Sequence, residues 1–278
     1  MTTLVTPVSG YSHQFNATGK RTQAVELTGR TLNWNYDGIN RLTQETIADT
    51  PASKNGVVSY SLDPVGNRLS DTSSLSGVST SSSTFNADDE LSNETYDASG
   101  DTVATGGNSY AYNSWLRLST MNGGQFALSY NGLGQLVSKT VGGVTTQYLI
   151  DDLSPTGYPQ VVEELVNGEA VRSYTYGLER INELQTVNGT QAASFYQYDG
   201  RGTVRMLTNS AGAVTDTYEY DAFGNEIAQT GTTPNAYFYR GERYDSDLGL
   251  SIACRGPSPL TTFQFRPLSK QQCFDFSS

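Results

Sequence analysis

Tyr196-Gln-Tyr198-Asp199-Gly-Arg-Gly202-Thr-Val-Arg205 is followed, 22 residues on, by Tyr218-Glu-Tyr220-Asp221-Ala-Phe-Gly224-Asn225. Both stretches read Tyr-x-Tyr-Asp-x-x-Gly. Tyrosines two apart share one face of a strand, and the residue between them takes the other. The short carboxylate after the second tyrosine can accept hydrogen bonds from backbone N–H groups just ahead, which favours a turn. The glycine three residues later suits the positive φ that such a turn needs. Between the copies, Asn209-Ser-Ala-Gly212 supplies a second turn by the same reasoning. The unit is therefore strand, turn, strand, turn, and it predicts an all-β chain of antiparallel β-hairpin repeats.

Working outward, the motif recurs almost from the start of the 278-residue chain. Phe15-Asn16 is a degenerate copy, and Tyr36-Asp37-Gly38-Ile-Asn40-Arg41-Leu42 is a clear one. Tyr60-Ser-Leu-Asp63-Pro-Val-Gly66-Asn67 follows, then weaker copies at Phe85-Asn86, Tyr96-Asp97, Tyr112-Asn113 and Tyr130-Asn131. Past Tyr148 the pattern loosens, with Asp151-Asp152 and Tyr174-Thr-Tyr176-Gly177 as remnants. Spacing between copies is uneven, so the expectation is a sheet of hairpins of varied length rather than a solenoid of identical rungs.

Composition agrees. Charged residues make up 16% of the chain, below the roughly 25% of an average soluble protein, while it holds 18 tyrosines and 28 glycines. So many aromatics with so little charge exclude a disordered chain. The net charge of −11 gives no electrostatic reason to bind nucleic acid, and no Lys/Arg cluster is present. No apolar run is long enough to span a membrane as a helix, and the first residues lack a basic-then-apolar leader. Cys254 and Cys273 lie near the end and match no metal-ligand spacing.

The copies resemble the YD repeats of bacterial RHS proteins and of the related toxin-complex C subunits and teneurins. From Tyr196 to Leu250 the chain is similar to the RHS-associated core that closes such arrays, ending in Arg240-Gly-Glu-Arg-Tyr244-Asp-Ser-Asp-Leu-Gly-Leu250. The resemblance implies a long antiparallel sheet spiralling into a hollow shell around a C-terminal toxin or effector polypeptide, with an immunity protein as a further partner. It implies a secreted or cell-envelope setting. Residues 1–195 read as YD repeats, 196–250 as the core-like segment and 251–278 as an aberrant tail. Because the chain begins inside a repeat, the expected portion of shell is open-ended. After Leu250 the family's Leu-Arg-Ala run and Asp-Pro stretches are missing. Ser251-Ile-Ala-Cys254 can encode Leu-Arg-Ala in another frame, so the tail is expected to be an out-of-frame product without an evolved fold.

Residues able to do chemistry are few. The single histidine, His13, has no nucleophile paired with it by motif, and no metal or phosphate-loop pattern is present. Asp88-Asp89 and Asp151-Asp152 are adjacent on the chain, so on strands they diverge; Asp245 and Asp247 can share a face, in a segment that reads as a turn. The aspartates that cut family members free of their cargo belong to the missing Asp-Pro stretches, so self-cleavage is not expected. The expectation is a structural shell fragment with no enzymatic activity, no cofactor and no metal. Its repeat residues are Tyr36, Asp37, Asp63, Gly66, Tyr196, Tyr198, Asp199, Gly202, Arg205, Tyr218, Tyr220, Asp221 and Gly224. The alternative is a surface module that binds glycans on the Tyr-Asp ladder. Exposed tyrosines at 196/198 and 218/220 would favour it, and tyrosines buried between strands would favour the shell.

Overall fold

The computed structural model describes residues 9–48, 55–155, 157–187, 189–253 and 264–267. Strands and turns make up nearly all of it, and strands pair antiparallel with their neighbours in sequence. The first sheet is a seven-stranded meander of β1 (Tyr11–Phe15), β2 (Arg21–Glu26), β3 (Thr31–Tyr36), β4 (Leu42–Ala48), β5 (Gly56–Leu62), β6 (Arg68–Ser73) and β7 (Ser81–Ser82).

The second is a fourteen-stranded meander. It opens with β8 (Thr95–Tyr96), β9 (Thr102–Thr105), β10 (Asn108–Tyr112), β11 (Leu118–Met121), β12 (Phe126–Tyr130) and β13 (Leu136–Val141). The long strands β14 (Val144–Asp151), β15 (Gln160–Val166), β16 (Glu169–Tyr176), β17 (Arg180–Val187) and β18 (Thr190–Tyr198) continue it. It closes with β19 (Val204–Thr208), β20 (Val214–Tyr220) and β21 (Glu226–Thr230). A small third sheet joins β22 (Arg243–Asp245), β23 (Leu250–Ala253) and β24 (Gln264–Pro267). The expectation for residues 251–278 otherwise falls largely outside the described residues.

The meander is cut in two where the sequence turns poorest in apolar residues. Thr80-Ser-Ser-Ser-Thr84 has no alternating hydrophobic set to fix a strand, so β7 lasts two residues and only a lone Phe85–Leu91 bridge follows. Past Tyr148, where the motif fades, strands do not. Strands β14, β16, β17 and β18, of eight or nine residues, are the longest among the described residues, and tight two-residue turns such as Gly142-Gly143 and Asn167-Gly168, both at positive φ, join this part of the sheet at one end.

Each motif copy makes the same turn. Asp199 N donates to Thr203 O and Gly202 N to Asp199 O, while the Asp199 Oδ1 accepts from the backbone N–H groups of Arg201 and Thr203 at 2.9 and 3.2 Å. Asp221 repeats this with Phe223 and Asn225, and Asp37 with Ile39 and Arg41. At Asp63 the Oδ1 accepts from Gly66 and Asn67. Gly66, Gly202 and Gly224 sit at φ of 107°, 75° and 88°, in the region that L side chains avoid. Just before the turn the register slips by one residue, as between Gln197 and Tyr198 or Glu219 and Tyr220. The turns line one rim of the sheet. Neighbouring turns are latched by Thr18 to Asn40, Arg41 to the Asp63 carbonyl and Asn67 to Asp89, each pair 22 residues apart.

The sheet comes round far enough for its two ends to meet. Ala24, Leu32, Ile47, Val58 and Tyr60 of β2 to β5 share one core with Ile227 of β21, and Phe223 packs against it. Arg205 of β19 donates to Glu26 at 2.8 Å, and Arg30 lies 3.4 Å from Glu219 of β20. Both sheets stay open rather than closing into a barrel.

Candidate functional site: the buried face beneath a crossing segment

After β21 the chain turns back and runs over one face of the large sheet, against the order of the strands. Thr233 donates its backbone N–H and hydroxyl to Asp216 of β20 at 2.9 and 2.6 Å. The Pro234 carbonyl accepts from Gln185 of β17, and Asn235 meets the Tyr196 hydroxyl of β18 at 3.0 Å. Tyr237 stands edge-on to Tyr174 of β16, with ring centres 5.2 Å apart. Arg243 reaches Glu164 of β15 at 3.3 Å and lies 4.1 Å from the ring centre of Tyr148 on β14. Lys139 of β13 binds both Asp245 and Asp247, at 2.7 and 2.6 Å. Leu248 and Leu250 finish the crossing in a core with Leu118, Met121, Phe126 and Leu128.

Covering this face takes charged groups out of water. Arg172 lies 3.6 Å from Glu164 and 3.7 Å from Glu183. Tyr174 donates to Glu164 at 2.8 Å, and Tyr196 to Glu183 at 2.8 Å. Burial pushes the Glu183 carboxyl up to about 7, against the opposing pull of Arg172. The hydrogen bonds that Tyr196 and Gln185 donate to this carboxylate pull the other way, and burial outweighs them.

A second buried carboxyl lies where the two ends of the meander meet. Glu45 of β4 accepts from the Trp34 indole at 2.8 Å and the Ala222 N–H at 2.7 Å. Burial, then the nearby Asp221 carboxylate, push it up to about 8. Asp221 is itself raised, chiefly by burial. These acids are sealed under side chains, as Glu45, Glu183 and Asp216 all show 0% exposure.

The repeat residues fall into two working groups. The aspartates and glycines build the rim. The tyrosines build the packed face: Tyr196, Tyr218 and Tyr220 are 5%, 1% and 5% exposed, so the same-face pairs whose exposure the glycan reading requires lie in the core. Tyr198 stacks on Tyr196 with ring centres 6.1 Å apart. Sequence reasoning missed a recurring staple. The tyrosine just before a turn donates its hydroxyl to the carbonyl that opens the preceding strand: Tyr36 to Arg21, Tyr112 to Thr102, Tyr130 to Leu118 and Tyr198 to Arg180, at 2.7–2.9 Å. The repeated Tyr-Asp pair was its signal. Arg205 donates from Nε to the Tyr218 carbonyl as well as to Glu26.

Of the paired acids, only Asp245 and Asp247 converge, and they do so on an ammonium. Asp245 also accepts from the Asp247 and Leu248 N–H groups, as its turn reading implies. Asp89 is taken up by Asn67, and Asp151 accepts from Leu153. His13 lies against Tyr11 and Phe15, and no hydrogen-bond partner reaches its buried Nδ1. Among the described residues no group of three His, Cys, Asp or Glu side chains is placed to hold a metal ion, and no helix is long and apolar enough to cross a membrane.

No family model matches the chain. Over 232 residues, 77% of its length, it is 31% identical to the tRNA3(Ser)-specific nuclease WapA of Bacillus spizizenii, and 29% identical to the tRNA nuclease WapA of Bacillus subtilis. It spans 9% of the length of each. Among solved structures, the crystal structure of TcdB2-TccC3 matches 87% of this chain with 17% of its own, at 12% identity and a TM-score of 0.43. The curated relatives correct one expectation. The sequence alone leads one to expect no enzymatic activity in this chain, yet both relatives are named as nucleases that act on tRNA.

Proposed function

We propose that this chain is a stretch of wall in a larger YD-repeat protein, one that encloses a toxic polypeptide and whose activity as a whole is the cleavage of tRNA. Support for the activity comes from the 31% identity, over 77% of the chain, to a tRNA nuclease of which it spans 9%. Support for the wall comes from one observation above the rest: repeat tyrosines such as Tyr60, Tyr196, Tyr218 and Tyr220 are buried, and the half-buried Tyr36, Tyr130 and Tyr198 each tie their strand to the one before. A ladder built to stack sugars needs those ring faces open. A wall needs them closed. The larger protein would act outside the cell that makes it, or at its envelope, and its maker would carry an inhibitor of the enclosed polypeptide.

The test uses the complete gene product. Incubated with total tRNA and trypsin, it is expected to leave the tRNA intact and to keep the enclosed polypeptide uncut. Both should change together once mild denaturant opens the wall. A product that cuts tRNA at full rate while folded, or whose payload is digested as fast as a free polypeptide, would defeat the enclosure reading. Saturable binding of this chain on a glycan array, lost with tyrosine substitution, would favour the carbohydrate reading in its place.

A further inference from the structure

Three arginine side chains in the described structure are at least nine-tenths buried: Arg30, Arg180 and Arg205. Arg30 faces Glu26 and Glu219, and Arg205 faces Glu26. Among the described residues, no carboxylate lies within ion-pair distance of Arg180. Its Nε donates to the Tyr176 hydroxyl at 3.2 Å. Its guanidinium carbon lies 3.0 Å from the ring centre of Tyr237 and 5.2–5.4 Å from those of Tyr174, Tyr176 and Tyr196. Aromatic faces attract a cation but carry no net charge, and burial holds the phenols of Tyr174, Tyr176 and Tyr196 above their ordinary pKa. They stay neutral at pH 7. The nearby Glu183 is already held by Tyr196 and Gln185. Among the described residues Arg180 therefore carries a buried positive charge with no carboxylate in contact, Glu183 acting on it only from farther off, an arrangement that a bound anion would relieve.

Such an anion has room. Arg180 lines a cavity of about 400 Å³ between the crossing segment and the ends of β13 to β15. Arg243 lines it too, and its Nε is buried without a hydrogen-bond partner. Leu136, Ile150 and Val161 supply an apolar wall, and Leu178, 83% exposed, stands at the mouth. The size and the mix of apolar wall with few convergent polar groups are those of a small-ligand site.

We infer that this cleft binds a carboxylate on a short apolar stem, with the anion against Arg180 and Arg243 and the stem along Leu136, Ile150 and Val161. Arg240 and Glu242 also line the cleft, one charge of each sign; what favours the carboxylate over inorganic phosphate is the apolar stem it can lay along Leu136, Ile150 and Val161. The carboxylate has two sources: an acidic side chain or terminus of a polypeptide lying against the wall, or a free small acid. The inference is independent of tRNA cleavage.

Calorimetric titration of the full chain tests it, with 4-phenylbutyrate, the neutral 4-phenylbutanamide, inorganic phosphate and the capped peptide acetyl-Leu-Glu-Leu-amide as probes. The acid is expected to bind at least about tenfold more tightly than its amide, a difference of one factor of ten in Kd, and phosphate more weakly than the acid. Arg180→Met should erase the preference for acid over amide. Should that variant fail to fold, Leu178→Glu alters an exposed residue and places an internal carboxylate at the mouth. It should weaken the acid at least about tenfold. Tighter binding of the peptide than of phenylbutyrate assigns the polypeptide source, and the reverse assigns the free acid. Equal binding of acid and amide, phosphate as the preferred probe, or acid binding unchanged in Leu178→Glu overturns the inference.

Discussion

A single hydroxyl or a single φ angle fixes each repeat, and the effects of changing one are correspondingly specific. Gly202 sits at φ 75° with nothing near the position a Cβ would take. Gly202→Ala therefore meets no clash and should cost about 1–2 kcal/mol from the left-handed backbone alone, read from chemical denaturation. Tyr198→Phe removes the bond to the Arg180 carbonyl and should cost about 1 kcal/mol. The turn chemistry was legible in the sequence because it is local: carboxylate, amide donors and glycine lie within five residues of one another. The buried acids were not. Glu45 and Glu183 look like ordinary strand residues until distant elements cover them. Both have pKa values raised on folding, to about 8 and about 7. For such acids the folded state holds the proton more tightly, so their contribution is full below about pH 4.3 and is lost as pH rises through the folded values. The melting temperature should fall between pH 5 and pH 8. Glu183→Gln keeps an acceptor for the Tyr196 hydroxyl and should flatten the fall; an unchanged slope would show that Glu183 ionises freely.

At the scale of elements, the crossing segment is the least predictable part. Its residues read as a turn and a closing strand, and the resemblance marked them as core-like without saying what they lie on. The partners explain this: Lys139 and Asp245 are 106 residues apart, and nothing in either local sequence points to the other. Breaking a buried pair by removing one partner leaves a charge stranded. Lys139→Ala should therefore destabilise by about 3–5 kcal/mol, and Lys139→Met with Asp245→Leu by much less. Hydrogen exchange reads where the loss falls. Protection should drop first at Leu248 and Leu250 and along β13, with β1 to β6 unchanged.

For the molecule as a whole, antiparallel hairpins were plain from the sequence, whereas the meeting of its two ends was not, since it depends on accumulated twist and bend over many strands. Phe223 is the lever at that junction. It stands edge-on to Tyr60 at 4.6 Å with the Arg68 guanidinium 4.6 Å from its ring centre. Phe223→Ala should cost about 3 kcal/mol, at the low end for a partly buried phenylalanine. Exchange in β3 to β5 should rise while β12 to β16 hold. Uniform loss of protection everywhere would mean that the two sheets unfold as one body and the junction is not separable.

The crossing segment also sets an order of events during synthesis. Within each meander a new strand pairs with the strand just made, so hairpins can settle one after another as the chain leaves the ribosome, at little cost in loop closure, while the core that β2 to β5 share with Ile227 waits for β21. Residues 232–250 come later, and their partners are strands already laid down. Until they arrive, Arg172, Glu164 and Glu183 face water, and the tyrosines of β16 and β18 lack their cover. Translation itself thus acts as the clock: the sheet stays loose and wettable while it grows, and it sets hard when residues 232–250 are drawn across it.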